Sequence, residues 1–281
     1  MTLHYANIGA EGMPWQREWH VDDTLLYNLS VGADASDPHL VTENSQGVGL
    51  CALPSFAAVL GGSLRSVRHL VGEFPSHAVV FVGQQLELFD ALPVAGRIEV
   101  TTSIAEMTDR STGVLLETEA VAVAGPAGRK LFTARASYFL RGLGSRPDST
   151  GAPVIDAPRW ATTLSVRTRT DQALLYRLCG DRNPLHSDPV VAKRAGFDRP
   201  VLHGLCTWAM VARTVIGHVL GAEVGAVDEI GGRLRHPAYP GEILTIDLVQ
   251  TAECVLNYQA RVADRIVLAD GLVRTAHEVS L

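Results

Sequence analysis

Between Gly180 and Gly204 the chain reads GDRNPLHSDPVVAKRAGFDRPVLHG. It places an aspartate, an asparagine and a histidine within six residues, and a second histidine beside a glycine at the far end. Asp181 and His186 are an acid/base couple separated by the turn formers Asn183 and Pro184, and Gly204 opens an apolar segment. A glycine at the entrance to a buried helix lets a ligand oxygen approach the backbone, where unpaired N–H groups and the positive dipole end favour developing negative charge. A proton-transfer pair beside such a donor suits chemistry at a carbonyl, such as adding water across a double bond conjugated to a thioester. Taken singly, Asp181, Asn183 and Pro184 also build ordinary turns, and Gly204 equally relieves close packing. A turn by itself needs neither an Asp and a His five residues apart nor a buried helix behind them.

Local signals say which elements must hold these groups. A helix from Asp171 should stop at Gly180, which can take the left-handed conformation. The next should start with Asp188 as N-cap and Pro189 at its first position, run through VVAKRA and end at Gly196, leaving DRNPLHS as an exposed link. The segment TWAMVARTVIGHVLGA is apolar nearly all round and must be buried. The same sequence of events occurs earlier. DDTLLYNL (Asp22 to Leu29) matches DQALLYRL (Asp171 to Leu178) in five of eight positions, and CALPSF (Cys51 to Phe56) corresponds to HGLCTW (His203 to Trp208). Each half is read as beginning its core with the Asp-led helix. Strand-like runs follow in both halves, with alternation such as Phe132, Ala134, Ala136, Tyr138 and a shared turn around Gly96 and Gly241. Periodicity thus predicts an antiparallel sheet with a buried helix, twice, joined by a Gly/Pro/Ser/Asp-rich linker over residues 141–162.

Composition narrows the partners. In 281 residues, 47% are hydrophobic and 19% charged, enough for a filled core. A net charge of −6 without a Lys/Arg-rich run argues against nucleic acid, which demands clustered positive charge. The opening MTLHYANIGAEGM has no apolar leader, and the longest apolar stretch is interrupted by Arg213 and His218, so a cytoplasmic protein without membrane insertion is expected. Cys51, Cys179, Cys206 and Cys254 stand far apart and read as reduced thiols.

The Gly180–Gly204 pattern resembles the signature of the R-specific 2-enoyl-CoA hydratases, the type-2 or MaoC-like hot-dog enzymes, in which G-D-x-N-P-x-H-x-D is followed by A-G-F and H-G. The likeness extends over essentially the whole chain to the two-repeat members, including the hydratase unit of peroxisomal multifunctional enzymes and actinobacterial (3R)-hydroxyacyl-thioester dehydratases. It implies an α+β double hot-dog, with an N-terminal repeat over 1–140 that accommodates the acyl tail and a C-terminal repeat over 163–281 that carries the active site. It further implies that Asp181 and His186 hold and activate the water, that Asn183 orients them, and that the Gly204 N–H polarises the thioester oxygen. His203, Leu205 and Arg182 fall beside the substrate, with His203 orienting the loop rather than transferring protons. No cofactor or metal is implied beyond the coenzyme A of an acyl-CoA substrate, and a homodimer is one assembly it allows. An ion pair between Arg177 and Glu43 is a further expectation from the resemblance.

Other readings use the same residues. A hot-dog thioesterase also wants a carboxylate and an oxyanion donor, and fold alone does not choose between them. A non-catalytic acyl-CoA binding module and a two-His, one-carboxylate cation site from Asp181, His186 and His203 are the remaining alternatives. The first repeat places Gly32 at the position of Asp181, Asp37 at that of His186 and Ala52 at that of Gly204. Asp34, Asp37 and His39 could imitate a second site, yet they lack the Asn-Pro turn and read as a surface loop.

Overall fold

The computed structural model describes residues 2–62, 64–144, 159–279 and 281. Residues 145–158 of the expected linker lie outside the described residues, and its last position, Thr162, already starts a strand. The first half contains strands β1 (Thr2–Leu3) and β2 (Trp15–Trp19), helices α1 (Val21–Ser30), α2 (Pro38–Val41), α3 (Ala57–Gly61) and α4 (Arg68–Val71), and strands β3 (Gly72–Glu73), β4 (Val79–Leu88), β5 (Gly96–Arg110), β6 (Gly113–Ala124) and β7 (Arg129–Arg141). The second contains β8 (Thr162–Arg167), α5 (Gln172–Tyr176), α6 (Pro189–Arg194), α7 (Gly204–Leu220), and β9 (Val227–Leu234), β10 (Ile243–Ala252), β11 (Val255–Val262) and β12 (Arg265–Thr275).

Ten of these strands make one antiparallel sheet in the order β2-β5-β6-β7-β4-β9-β12-β11-β10-β8. The order reads the same from either edge when each strand is replaced by its counterpart in the other half. The halves are therefore related by an approximate two-fold axis at the β4–β9 seam, where Leu86 stands opposite Ile230 and Gln84 opposite Gly232. Alternation puts one face of each strand inside: on β6, Leu116, Thr118, Ala120 and Ala122 are buried while the residues between them are half-exposed. Small side chains at Ala120, Ala122, Ala134 and Ala136 let a helix come close to that face.

Helix α7 is the longest element against the sheet, about 25 Å at 1.5 Å per residue. Trp208, Met210, Val211, Val215 and Ile216 are fully enclosed, each contributing roughly 1.5–3 kcal/mol relative to exposure. Its counterpart differs from expectation. The first-half helix is buried but lasts only five residues, because the Gly61-Gly62 pair ends it, with Gly62 already extended. The chain then continues through α4, whose Val71 joins Val67, Phe74, Ile104, Met107, Val114 and Leu140 in a separate second core. The expectation that each half opens with its helix is also corrected. Edge strands β2 and β8 come first, and their alternation of polar with half-buried residues, as in WQREW and TTLSVR, leaves little apolar signal to read. The start of α1 is held by Asp23, which accepts a hydrogen bond from the His20 N–H at 2.8 Å, and Asp171 at the start of α5 pairs with Arg169 instead of capping its helix.

Candidate active site

The motif residues are placed by local hydrogen bonding. Helix α5 tightens into a 3-10 turn over Arg177–Cys179 and stops at Gly180, whose φ of +130° a side chain would oppose. Asp181 follows, exposed, with Oδ1 accepting the Asn183 N–H at 3.0 Å. The Asn183 Oδ1 accepts the Leu185 N–H at 3.1 Å and its carbonyl accepts the His186 N–H at 3.2 Å, folding Pro184–His186 into a 3-10 turn. Asn183 thus orients the couple through the turn rather than by touching the imidazole. Asp188 caps α6 as expected, accepting the Val190 N–H at 2.7 Å. The net effect is to swing His186 inward, to 8% exposure.

The His186 Nδ1 lies 2.8 Å from the Val201 carbonyl. A carbonyl only accepts, so Nδ1 carries the proton and Nε2 keeps its lone pair for the site. Burial, the largest influence, pushes the imidazole below its ordinary value, so it is neutral at pH 7. His203, the residue before α7, is 2% exposed and stacks on His186 with ring centroids 3.7 Å apart and planes 26° apart. Its Nε2 donates to the Asp181 carbonyl at 3.2 Å, while Nδ1 is buried with no partner among the described residues. Burial, then repulsion from His186 once that ring is itself protonated, lowers the His203 pKa to about 4. One ligand-type atom from each of Asp181, His186 and His203 falls within 4.8 Å of the other two. These are the ligand types of a cation site, but His186 Nδ1 and His203 Nε2 are already engaged by the Val201 and Asp181 carbonyls, leaving one nitrogen on each ring.

Gly204 is the first residue of α7, where N–H groups have no intrahelical acceptor and the helix dipole is positive. Its missing side chain matters spatially: a Cβ there would sit 2.4 Å from Leu234 Cδ1 and 3.1 Å from Phe81 Cδ1. Phe81 in turn meets Tyr138 edge-on at 5.8 Å, and Tyr138 is close enough to Asp181 to feel its charge. Burial first, with that carboxylate, pushes the phenol up to about 12 against a lowering hydrogen bond from the Leu64 backbone. Phe81, Tyr138 and Leu234 are dispersed singly along three strands and carry no motif, so only folding reveals them.

Asp181, Asn183, His186, His203 and Gly204 therefore meet in one place. His203 is buried in contact with both the His186 ring and the Tyr176 ring, the latter 5.0 Å away, a position for orienting the loop. Leu205 packs half-buried against the core, and Arg182 is exposed on the loop. The expected Arg177–Glu43 ion pair is not formed among the described residues. Glu43 stands exposed and accepts a hydrogen bond from Asn44, whereas the Arg177 charge acts on His203. In the first repeat, Asp37 forms a 3.0 Å ion pair with Arg213 of α7, whose Nε donates to the Val31 carbonyl at 3.3 Å. Asp34 accepts hydrogen bonds from the Ser36 N–H and hydroxyl, and Ala52 is buried.

An antiparallel sheet packed on a buried helix, twice over, with a carboxylate and an imidazole before the N-terminus of the longer helix, defines a double hot-dog protein with a MaoC-type site. Residues 151–266 match the MaoC like domain, and residues 18–142 match the MFE-2 hydratase 2 N-terminal domain. The chain is 34% identical to 3-hydroxyacyl-thioester dehydratase Y of Mycobacterium tuberculosis, over 97% of this chain and 98% of that one. It is also 34% identical to peroxisomal enoyl-CoA hydratase 2 of Arabidopsis thaliana, over 86% and 85%. The crystal structure of a MaoC-like dehydratase from Phytophthora capsici shares the fold, with a TM-score of 0.86 over 99% of this chain and 98% of that one at 22% identity. The chain belongs to the MaoC-like hydratase and dehydratase family.

Proposed function

We propose that the protein adds water reversibly across the C2–C3 double bond of trans-2-enoyl-CoA thioesters to give (3R)-3-hydroxyacyl-CoA. The observation that carries this reading is the convergence of Asp181 and a neutral His186 just ahead of the Gly204 helix start. The names of the relatives agree with it. The thioester oxygen accepts the Gly204 N–H, which draws electron density from C3. A water held by the Asp181 carboxylate attacks C3 as its proton passes to His186 Nε2, and the electron pair moves through C2 to an enolate oxygen. The enolate then takes a proton at C2 from the imidazolium, so water is added overall and both side chains return to their starting states. The thioester bond stays intact throughout, so the coenzyme A leaves as part of the product.

The same reading gives the two halves different work. The C-terminal repeat, 163–281, does the chemistry. The N-terminal repeat, 1–140, is catalytically empty and receives the acyl tail, supported by its shortened α3, by the half-buried Phe81 that it turns toward Gly204, and by Tyr138 edge-on to Phe81. Among the described residues no helix is long and apolar enough to cross a membrane. We read the enzyme as cytoplasmic, with a homodimer as one assembly the family fold allows, and cell fractionation and light scattering test the two. Activity is tested with crotonyl-CoA: hydration removes the absorbance of the conjugated thioester without freeing thiol, and a chiral assay of the product must return the (3R) isomer. Release of free coenzyme A instead would establish a thioesterase, and a purely (3S) product would end the present reading.

A further inference from the structure

One buried imidazole has no step in that scheme. His203 touches three separate parts of the site: its ring lies on His186, its Nε2–H holds the Asp181 carbonyl, and its own carbonyl accepts both the N–H and the hydroxyl of Thr207, at 3.0 and 3.2 Å, in the first turn of α7. We propose that His203 is a positioning residue that fixes the base, the carboxylate-bearing loop and the Gly204 donor relative to one another, and that shields one face of the His186 ring from water. The proposal rests on the assignment of His186 as base.

The chemistry of the ring supports this role over proton transfer. The nitrogen facing the Asp181 carbonyl must be the protonated one, so His203 rests as the Nε2–H tautomer. A second proton would have to enter at Nδ1, which is buried, meets no acceptor among the described residues, and belongs to a ring stacked 3.7 Å from another imidazole. The ionised and ionisable groups around it are Asp181, His186 and Arg177, with the Tyr176 ring 5.0 Å away and tilted by 52°. Of these, His186 and Arg177 oppose a positive charge on His203 and only Asp181 favours one. His203 is therefore a neutral spacer, and its value to catalysis is where it stands. Burial is the largest influence lowering the His186 pKa, and the His203 ring lies against one face of that imidazole at 3.7 Å.

Three variants separate the two tasks. His203→Phe keeps an aromatic ring over His186 but cannot donate to the Asp181 carbonyl; His203→Gln keeps a donor but loses the stack; His203→Ala loses both. The acid limb of kcat/KM for crotonyl-CoA should stay in place for the Phe variant while kcat falls about tenfold, as for one lost orienting contact. For Gln and Ala the limb should move to higher pH, by roughly half a unit or more, because water reaching His186 eases its protonation. The His186 C2–H proton resonance, followed against pH without substrate, reports the same shift independently of turnover. A failure of the hydratase reading would leave this NMR titration unaffected. An unmoved His186 titration in both Gln and Ala variants overturns the shielding role. A Phe variant with wild-type kcat overturns the anchoring role. Should Ala prove too unstable by thermal melting, the Gln variant carries the shielding test alone.

Discussion

Replacing Gly204 by proline removes one N–H and leaves Asp181 and His186 in place, so it asks whether that N–H is the oxyanion donor. The backbone tolerates the change. Proline is favoured at the first position of a helix, and the preceding His203, at φ −60° and ψ 135°, already occupies the extended region that a residue before proline requires. The obstacle is the ring itself, since a Cβ at this position meets Leu234 Cδ1 at 2.4 Å and Phe81 Cδ1 at 3.1 Å. Gly204→Ala is the matched control, because it introduces the same Cβ but retains the N–H. Both variants should lose stability by about 1–3 kcal/mol through overpacking, and Leu234→Ala should relieve part of that loss in either. Beyond this shared effect, proline alone should lower kcat by about 10²–10³, or about 2.7–4 kcal/mol of transition-state stabilisation, as for deletion of one oxyanion donor. Turnover of crotonyl-CoA and thermal melts on the two variants make the comparison. If Gly204→Pro turns over within about threefold of Gly204→Ala, far less than a lost donor requires, the Gly204 N–H does not hold the oxygen.

Asp181→Asn and His186→Ala should each reduce kcat by at least roughly a hundredfold while the fold stays intact, and near-normal turnover in either removes that residue from the mechanism. His203, neutral and buried with its pKa lowered to about 4, should contribute stability that is complete above about pH 6.5 and is lost as pH falls toward 4, because the unfolded chain takes up the proton first. Melting temperatures of His203→Gln should fall less steeply than wild type across that window, and parallel curves would refute the assignment. Asp37→Asn should melt lower, since it leaves Arg213 (14% exposed) without its ion-pair partner, yet keep crotonyl-CoA turnover. Loss of turnover in the folded Asp37 variant, or two equivalent enoyl-CoA sites per chain on titrating Asp181→Asn, would mean that the first repeat carries chemistry.

Local rules in the sequence determined a good part of the site. The Asp188 cap, the stop at Gly180, the turn through Asn183 and Pro184 and the apolar α7 all depend on bonds between residues a few positions apart, so spacing specifies them. Alternation in β6 and β7 likewise marked the inner face of the sheet, and the matched Asp22 and Asp171 segments disclosed the duplication. Edge strands β2 and β8 escaped because one side of an edge strand faces water and carries polar residues there. The remaining decisions were tertiary. The His186–His203 stack joins residues 17 apart across a helix and a loop, the roof over Gly204 draws Phe81 and Leu234 from opposite halves, and Arg213 crosses 176 positions to reach Asp37. No periodicity encodes such meetings; those between the halves depend on how the two parts of one sheet pair at the β4–β9 seam. Sequence thus decided which groups could do the chemistry, whereas packing decided which ring stands behind the base and which side chains close over the donor.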